Sequence, residues 1–263
     1  MPPARKRPRS YDHATTRDAV LAQFGHVRQA VGTLTEEQFA LPTRLGDWTV
    51  RELAAHVAMV AGLVARYLTQ PEPAKQDLAL LDWPFATVTA AGQVDEDTRA
   101  FAAGGGIVEL FDRTAAGLEE LLPAASAERL VPMRFGSMRL GDFLVTRTVE
   151  MIVHTDDLND ATALGIPYDR RALAACTRLL ADALAVKAPG ASTEVRVPPF
   201  AVVQCVEGPR HTRGTPPNVV EADPLTWIRL ATGRTAWRDA IEAAKVSASG
   251  ERADLEALLP ILG

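Results

Sequence analysis

Thr148-Val149-Glu150-Met151-Ile152-Val153-His154 is the stretch on which the reading of this chain turns. The i, i+4 spacing of Glu150 and His154 puts a carboxylate and an imidazole on one face of a helix, one turn apart. One helix therefore sets two potential metal ligands, and a third has to come from elsewhere. The best-placed candidate is His56, beside the apolar stripe of Val50, Leu53, Val57, Val60, Val64 and Leu68 on a strongly patterned helix. Two imidazoles and one carboxylate suit zinc, iron, nickel or manganese, and three protein ligands leave positions open for water or substrate. Spacing alone leaves other readings standing. A Glu/His pair at this spacing is commonly a salt-bridged, solvated face, and a histidine beside an apolar stripe is often a hydrogen-bonded boundary residue.

Working outward, the first 165 residues read as helices. Thr15 to Leu34 carries Val20, Phe24, Val27 and Val31 at helical spacing, and Thr33-x-x-Glu36 offers a capping box for a short following turn. The next helix, Trp48 to Leu68, is stopped by Pro71 and Pro73. Glu72 to Thr98, with Trp83-Pro84, is poorly patterned and reads as a long connection over one end of a bundle. Gly104-Gly105-Gly106 lacks the lysine and preceding strand of a phosphate-binding loop and reads as a lead-in to a helix over Ile107 to Leu122. A linker after Pro123 reaches Asp142, a candidate cap for a fourth helix from Phe143 to Ala163. Long helices joined this way make a four-helix bundle, which builds metal sites from inward-facing residues.

Near Gly165-Ile166-Pro167 the texture changes. A helix over Arg170 to Ala188 precedes two short apolar runs, Thr193 to Val197 and Ala201 to Val206, which read as strands separated by Pro198-Pro199. Asp223-Pro224 opens a helix through Thr232. Lys245 to Gly250 reads as a last strand before a helix ending in Leu258-Leu259-Pro260-Ile261. The expected class is α followed by α/β: a basic tail over 1–14, a helical bundle over 15–165 and a smaller α/β domain over 166–263.

Composition agrees with two soluble domains: 263 residues, 47% hydrophobic, mean hydropathy near zero. A net charge of -5 gives no electrostatic reason to expect nucleic acid. Arg5, Lys6, Arg7 and Arg9, interleaved with prolines, read as a disordered, solvated tail, with nuclear or nucleic-acid targeting as the minor alternative. The tail is followed by no apolar signal region, and no segment is long and uncharged enough to span a bilayer, so a cytoplasmic protein is expected. Cys176 and Cys205, without any C-x-x-C, imply neither a disulfide framework nor a thiolate site and read as buried small hydrophobes.

Two segments resemble a known family. Leu41-Pro42 through His56, with Gly46-Asp47-Trp48-Thr49-Val50-Arg51-Glu52-Leu53 leading into the histidine, resembles the second helix of the mycothiol-dependent maleylpyruvate isomerases, a branch of the DinB-like four-helix-bundle metalloproteins. Glu150 to Leu158 resembles the same family's E-x-x-x-H-x-x-D helix. The resemblance implies that His56, Glu150 and His154 bind a divalent metal, with zinc the first expectation, and that Asp157 is the family's aspartate one turn beyond. The C-terminal half is similar to a bacterial sterol-carrier-like domain, through Asp223 to Arg234 and Ser247 to Leu255, with a distinctive loop over Val206 to Asn218. In that family an arginine of the second domain reaches toward the metal, and Arg234 holds the matching position. Its fork would pair with a substrate carboxylate, although a helix-end arginine bonding carbonyls is an equal reading. Arg210, His211 and Arg213 form a loop cluster that would grip an anion or simply be solvated.

Two functions follow as expectations. In one, the metal lowers the pKa of a low-molecular-weight thiol such as mycothiol, which then serves isomerisation of, or transfer to, a small electrophilic substrate that Arg234 orients. In the other, the α/β domain carries a lipid or other hydrophobic ligand and the metal site is structural or vestigial.

Overall fold

The computed structural model describes residues 9–87, 91–208 and 217–262. Four long helices, α1 (His13–Val31), α3 (Val50–Leu68), α6 (Ile107–Leu121) and α7 (Leu140–Thr162), pack on one another as a bundle. The short helix α2 (Glu36–Phe39) leads into α3. Between α3 and α6 lie α4 (Trp83–Ala86) and α5 (Ala91–Ala103), the latter packed along α3. The stretch expected to be a bare connection thus contains a helix. Its sequence, with Asp95, Glu96, Asp97 and Arg99 in close succession, is too polar to show an apolar stripe.

Local chemistry sets most element boundaries. Asp12 accepts from the Thr15 N–H and starts α1 at His13, while Arg9 makes a forked contact with Asp182. Residues 9–14, expected in the tail, therefore belong to the folded chain; Arg5, Lys6 and Arg7 lie outside the described residues. The capping box falls on Thr35 and Gln38 rather than on Thr33 and Glu36, and it opens α2. Between α6 and α7 the expected linker forms a hairpin of β1 (Leu130–Met133) and β2 (Gly136–Arg139). This hairpin ends at Arg139, so α7 begins at Leu140, and Asp142 sits inside its first turn instead of capping it.

After α7, Ala163 takes a left-handed conformation (φ 55°) that turns the chain out of the helix. Helix α8 (Arg170–Lys187) is capped by Asp169 and packs against α1, α7 and the sheet, so it joins the two halves. The sheet contains β3 (Thr193–Val197), β4 (Ala201–Cys205), β5 (Val219–Ala222) and β6 (Val246–Ser249) in the order β4-β3-β5-β6. Only the β3–β5 pairing is parallel. Alternation in β3 buries Thr193, Val195 and Val197, while Glu194 and Arg196 pair on the other face at 2.7 Å. Helices α9 (Pro224–Ala231), capped by Asp223, and α10 (Trp237–Glu242) complete this half. The expected C-terminal helix is only a 3-10 turn over Glu256–Leu258, since Pro260 cuts short any longer one.

Cys176 and Cys205 are buried, in α8 and β4. Among the described residues no helix is long and apolar enough to cross a membrane. The bundle core is aliphatic, with Leu53, Leu118, Leu144 and Ile152 fully buried and Phe24 stacked on Phe111 at 5.2 Å. Leu53→Ala, which empties a site one turn from His56, is expected to cost about 2–5 kcal/mol of stability, read as a lower urea midpoint at unchanged slope.

Candidate metal centre

The two helices that carry the site are built differently. Helix α3 has a fixed start: Thr49 caps Arg51, and Glu52 folds back onto the Thr49 N–H at 2.9 Å. His56 follows two turns later, on a face that is buried with Leu53, Val57 and Val60. Helix α7 is buried on nearly all sides from Leu140 to Leu158, so its polar residues have to be satisfied internally. Thr146, Thr148 and Thr155 manage this by donating to carbonyls three or four residues back, at 2.6–2.7 Å. That leaves Glu150 and His154 to face α3.

One ligand atom from each of His56, Glu150 and His154 lies within 4.8 Å of the others. Glu150 Oε2 is 3.8 Å from His56 Nε2 and 3.4 Å from His154 Nε2. Ligand bonds of about 2.0–2.2 Å in tetrahedral geometry put donor atoms roughly 3.3–3.5 Å apart, so a small contraction would seat a first-row ion. The other nitrogen of each imidazole is already engaged. His56 Nδ1 lies 3.1 Å from Thr98 Oγ1 on α5, and His154 Nδ1 lies 2.9 Å from Asp157 Oδ2. Both Nε2 atoms therefore point into the shared space, the arrangement in which outer hydrogen bonds fix ring orientation for a metal. By geometry and donor chemistry the three residues fit a divalent ion.

Electrostatics agree. Burial lowers the His56 pKa and keeps the ring neutral and able to donate a lone pair. Burial opposes the charge of Glu150 as well, but the neighbouring His154, His56 and Arg147 outweigh it and hold the carboxyl well below the usual range. Burial also disfavours protonated His154, but Asp157 and Glu150 overcome this and raise its pKa, so without a metal the ring retains its proton longer. Metal and proton compete for the same nitrogen there.

Beyond the three lies an ion network that the sequence reading did not assemble. Asp156 and Asp157 are buried, and three arginines from separate parts of the chain meet them. Arg44, in the loop before α3, bridges both, at 2.6 Å to Asp156 and 2.7 Å to Asp157. Arg229 of α9 forks onto Asp156 at 2.9 and 2.6 Å. Arg234, just beyond α9, forks onto Asp157 at 3.2 and 3.0 Å while its Nη1 donates to the Thr232 carbonyl at 2.7 Å. Arg234 thus joins the site through Asp157 and His154, and it also bonds the carbonyl of the residue that ends α9. Arg210, His211 and Arg213 fall outside the described residues.

Thr98 carries no sequence signal, since α5 is unpatterned. Arg147, three residues before Glu150 on the same face, could have been found by that spacing. Trp48 also went unassigned: its ring lies 5.1 Å from that of His56, and its indole N–H donates to Asp95 at 2.6 Å.

Comparison with known proteins bears on both halves. Residues 20–159 match the family model described as mycothiol maleylpyruvate isomerase N-terminal domain, and residues 169–261 match that of bacterial SCP ortholog. Among solved structures the chain is similar to a mycothiol-dependent maleylpyruvate isomerase, with TM-score 0.60 and 16% identity over 93% of this chain and 95% of that one. A histidine-to-alanine variant of that enzyme gives the same figures. The likeness shows a shared fold. YfiT from Bacillus subtilis, a four-helix-bundle protein, matches over 62% of this chain and 94% of its own at TM-score 0.33 and 19% identity, too loosely to bear on the fold. No curated protein matches by sequence.

Asp157→Asn removes the charge that holds His154 and is expected to weaken divalent-metal affinity about 10- to 100-fold, measured by chelator competition. The network also sets an acid limit. Burial raises the pKa of Asp156 and of Asp157, but bonds from Arg229 and Arg44 to the first, and from His154 and Arg234 to the second, bring both below the ordinary 3.8. Their contribution to stability is complete above the unfolded value and is lost as pH falls through the folded ones. Urea midpoints should therefore fall steadily below about pH 4, and Asp156→Asn, already weaker at about pH 6, should show a shallower acid limb.

Proposed function

The chain belongs to the mycothiol maleylpyruvate isomerase N-terminal domain family, and from that premise we propose that it is a metal-dependent, thiol-using isomerase or thiol transferase. The observation that carries this reading is the convergence of His56 Nε2, Glu150 and His154 Nε2 on one buried point between α3 and α7. We assign the division of labour at about residue 165, with the bundle holding the centre and the α/β half holding the arginines that close on it.

Held there, a divalent ion, with zinc the first expectation, would supply Lewis acidity that lowers the pKa of a thiol beside it, so that a low-molecular-weight thiol such as mycothiol would be nucleophilic near neutral pH. The chain's own residues do the rest. Glu150 and the two imidazoles fix the position, and Thr98 and Asp157 keep each Nδ1 engaged so that neither ring turns. Trp48 walls His56 on one side. Arg234 has five N–H groups and commits three of them to Asp157 and Thr232, leaving one on each terminal nitrogen for a substrate carboxylate. A small electrophile with an activated double bond and an acidic group is the substrate class this suits.

The match of residues 169–261 to a bacterial sterol-carrier model favours a second reading, in which the α/β half binds a hydrophobic ligand and the metal centre only stiffens the bundle. Elemental analysis separates them at the first step. The purified chain is expected to hold about one equivalent of zinc or another transition metal, lost in His56→Ala and in Glu150→Ala. A metal-free chain that also fails to take up metal on reconstitution leaves the carrier reading.

A further inference from the structure

His56, Glu150 and His154 are too enclosed for the chemistry proposed for them. Their side chains are 6%, 20% and 10% exposed, so a thiol and its electrophile can meet there only if a wall of the centre moves. Helices α3 and α7 are buried along most of their length, and the loop ahead of α3 is held by Arg44 on both Asp156 and Asp157. Helix α5 is held differently. Of its residues 92–103 only Thr98 and Ala102 are buried. Much of what ties it down is polar: Asp95 accepts from the Trp48 indole at 2.6 Å, Asp97 pairs with Arg134 in the turn between β1 and β2, and Thr98 Oγ1 lies 3.1 Å from His56 Nδ1. The Asp95 and Asp97 carboxylates are exposed, where such contacts are weak. A helix with so little buried apolar surface belongs to the part of a fold that opens first.

Helix α5 runs into α6 through Gly104-Gly105-Gly106, and the conformation described calls for glycine at none of them. All three have ordinary, negative-side backbone angles rather than the left-handed ones that favour glycine. A Cβ on Gly104 would make ordinary contacts with carbonyls of its own helix at 3.4 Å and beyond, and one on Gly105 would meet only the Arg113 side chain at 3.9 Å. At Gly106 it would push aside the end of the exposed Glu109 side chain. Gly92, at the other end of α5, meets nothing within 4 Å. Three successive glycines thus weaken this conformation relative to alanine without being required by it, and their freedom has a use only if the segment also adopts another.

Resting on the thiol-enzyme reading above, we propose that α5 is a hinged cover of the metal centre. It swings on the glycines at 104–106 to admit the thiol and its electrophile, then closes behind them. Two latches mark the closed state, Asp95 on Trp48 and Thr98 on His56. Opening frees the Trp48 ring and the Nδ1 side of His56, while His154 stays held by Asp157. The centre therefore opens on the α3 side alone.

The test places a reporter on the inner face of α5. In an Ala102→Cys chain, iodoacetamide is expected to alkylate the introduced thiol at least about tenfold faster than the buried Cys176 and Cys205, which are reached only when the chain unfolds. Adding Gly104→Ala and Gly105→Ala stiffens the hinge and leaves the closed form undisturbed, so the urea midpoint should hold or rise while alkylation slows at least about threefold. Asp95→Ala, which releases Trp48, should speed it. In the otherwise native chain loaded with cobalt(II), whose visible absorption reports a sulfur ligand, the same glycine pair of substitutions should slow binding and release of N-acetylcysteamine alike and leave its affinity unchanged. A merely structural role would move affinity or stability instead. Alkylation as slow as that of the native cysteines, or indifferent to the hinge substitutions, overturns the proposal, and so does thiol exchange at the native rate in the hinge variant. If the native chain takes up no cobalt, or binds no thiol on it, the reading of the site fails, and alkylation still decides the hinge.

Discussion

Two adjacent carboxylates buried on one helix, Asp156 and Asp157, are the constraint around which the rest of this structure is arranged. Either would be costly to bury alone, and removing any one partner from such a cluster leaves a stranded charge. Arg44 comes from ahead of the bundle's second long helix, while Arg229 and Arg234 come from the far end of the chain. Their convergence fixes α7 in rotation and clamps the α/β half against it. Because Asp157 also accepts from His154, the cluster that holds the halves together also aims an imidazole at the centre. Assembly of the fold and preorganisation of the site are in this sense one event.

The long helices were readable because their apolar residues recur at helical spacing, and the Glu150/His154 pair because a four-residue spacing is a local property. The α/β half declared its strands, Thr193 to Val197 and Ala201 to Val206, the latter ending one residue earlier at Cys205, and its Asp-Pro helix start through equally local patterns. What stayed hidden was whatever depends on contact at long range. Helix α5 has too polar a sequence to look like a helix packed on a bundle, although Thr98 from it meets His56. The hairpin over Leu130–Arg139 looked like a linker because each of its strands has only four residues. The terminal residues 9–14 looked like a tail until Asp182, more than 170 positions away, provided a partner for Arg9.

The arginines show the same limit. Arg234 was singled out by resemblance and Arg147 by nothing, yet it is Arg147 that lies on the same helix face as two of the donors. Sequence spacing says which side chains share a face; how closely each meets a counter-charge is a three-dimensional property. On α7, Asp156 and Asp157 are each met by a forked arginine, whereas Glu150 is shared among His56, His154 and Arg147.

The reciprocal cap at the start of α3 has a consequence for how this chain can vary. Thr49 and Glu52 fix where the helix begins, and His56 follows at a set number of residues. Each residue advances about 100° around the axis, so one insertion or deletion between Thr49 and His56 would swing the imidazole out of the bundle while leaving composition and helicity almost untouched. The segment Thr49–His56 is in effect a measured angle. A substitution there changes one contact and leaves that angle as it was, whereas a change in length resets it.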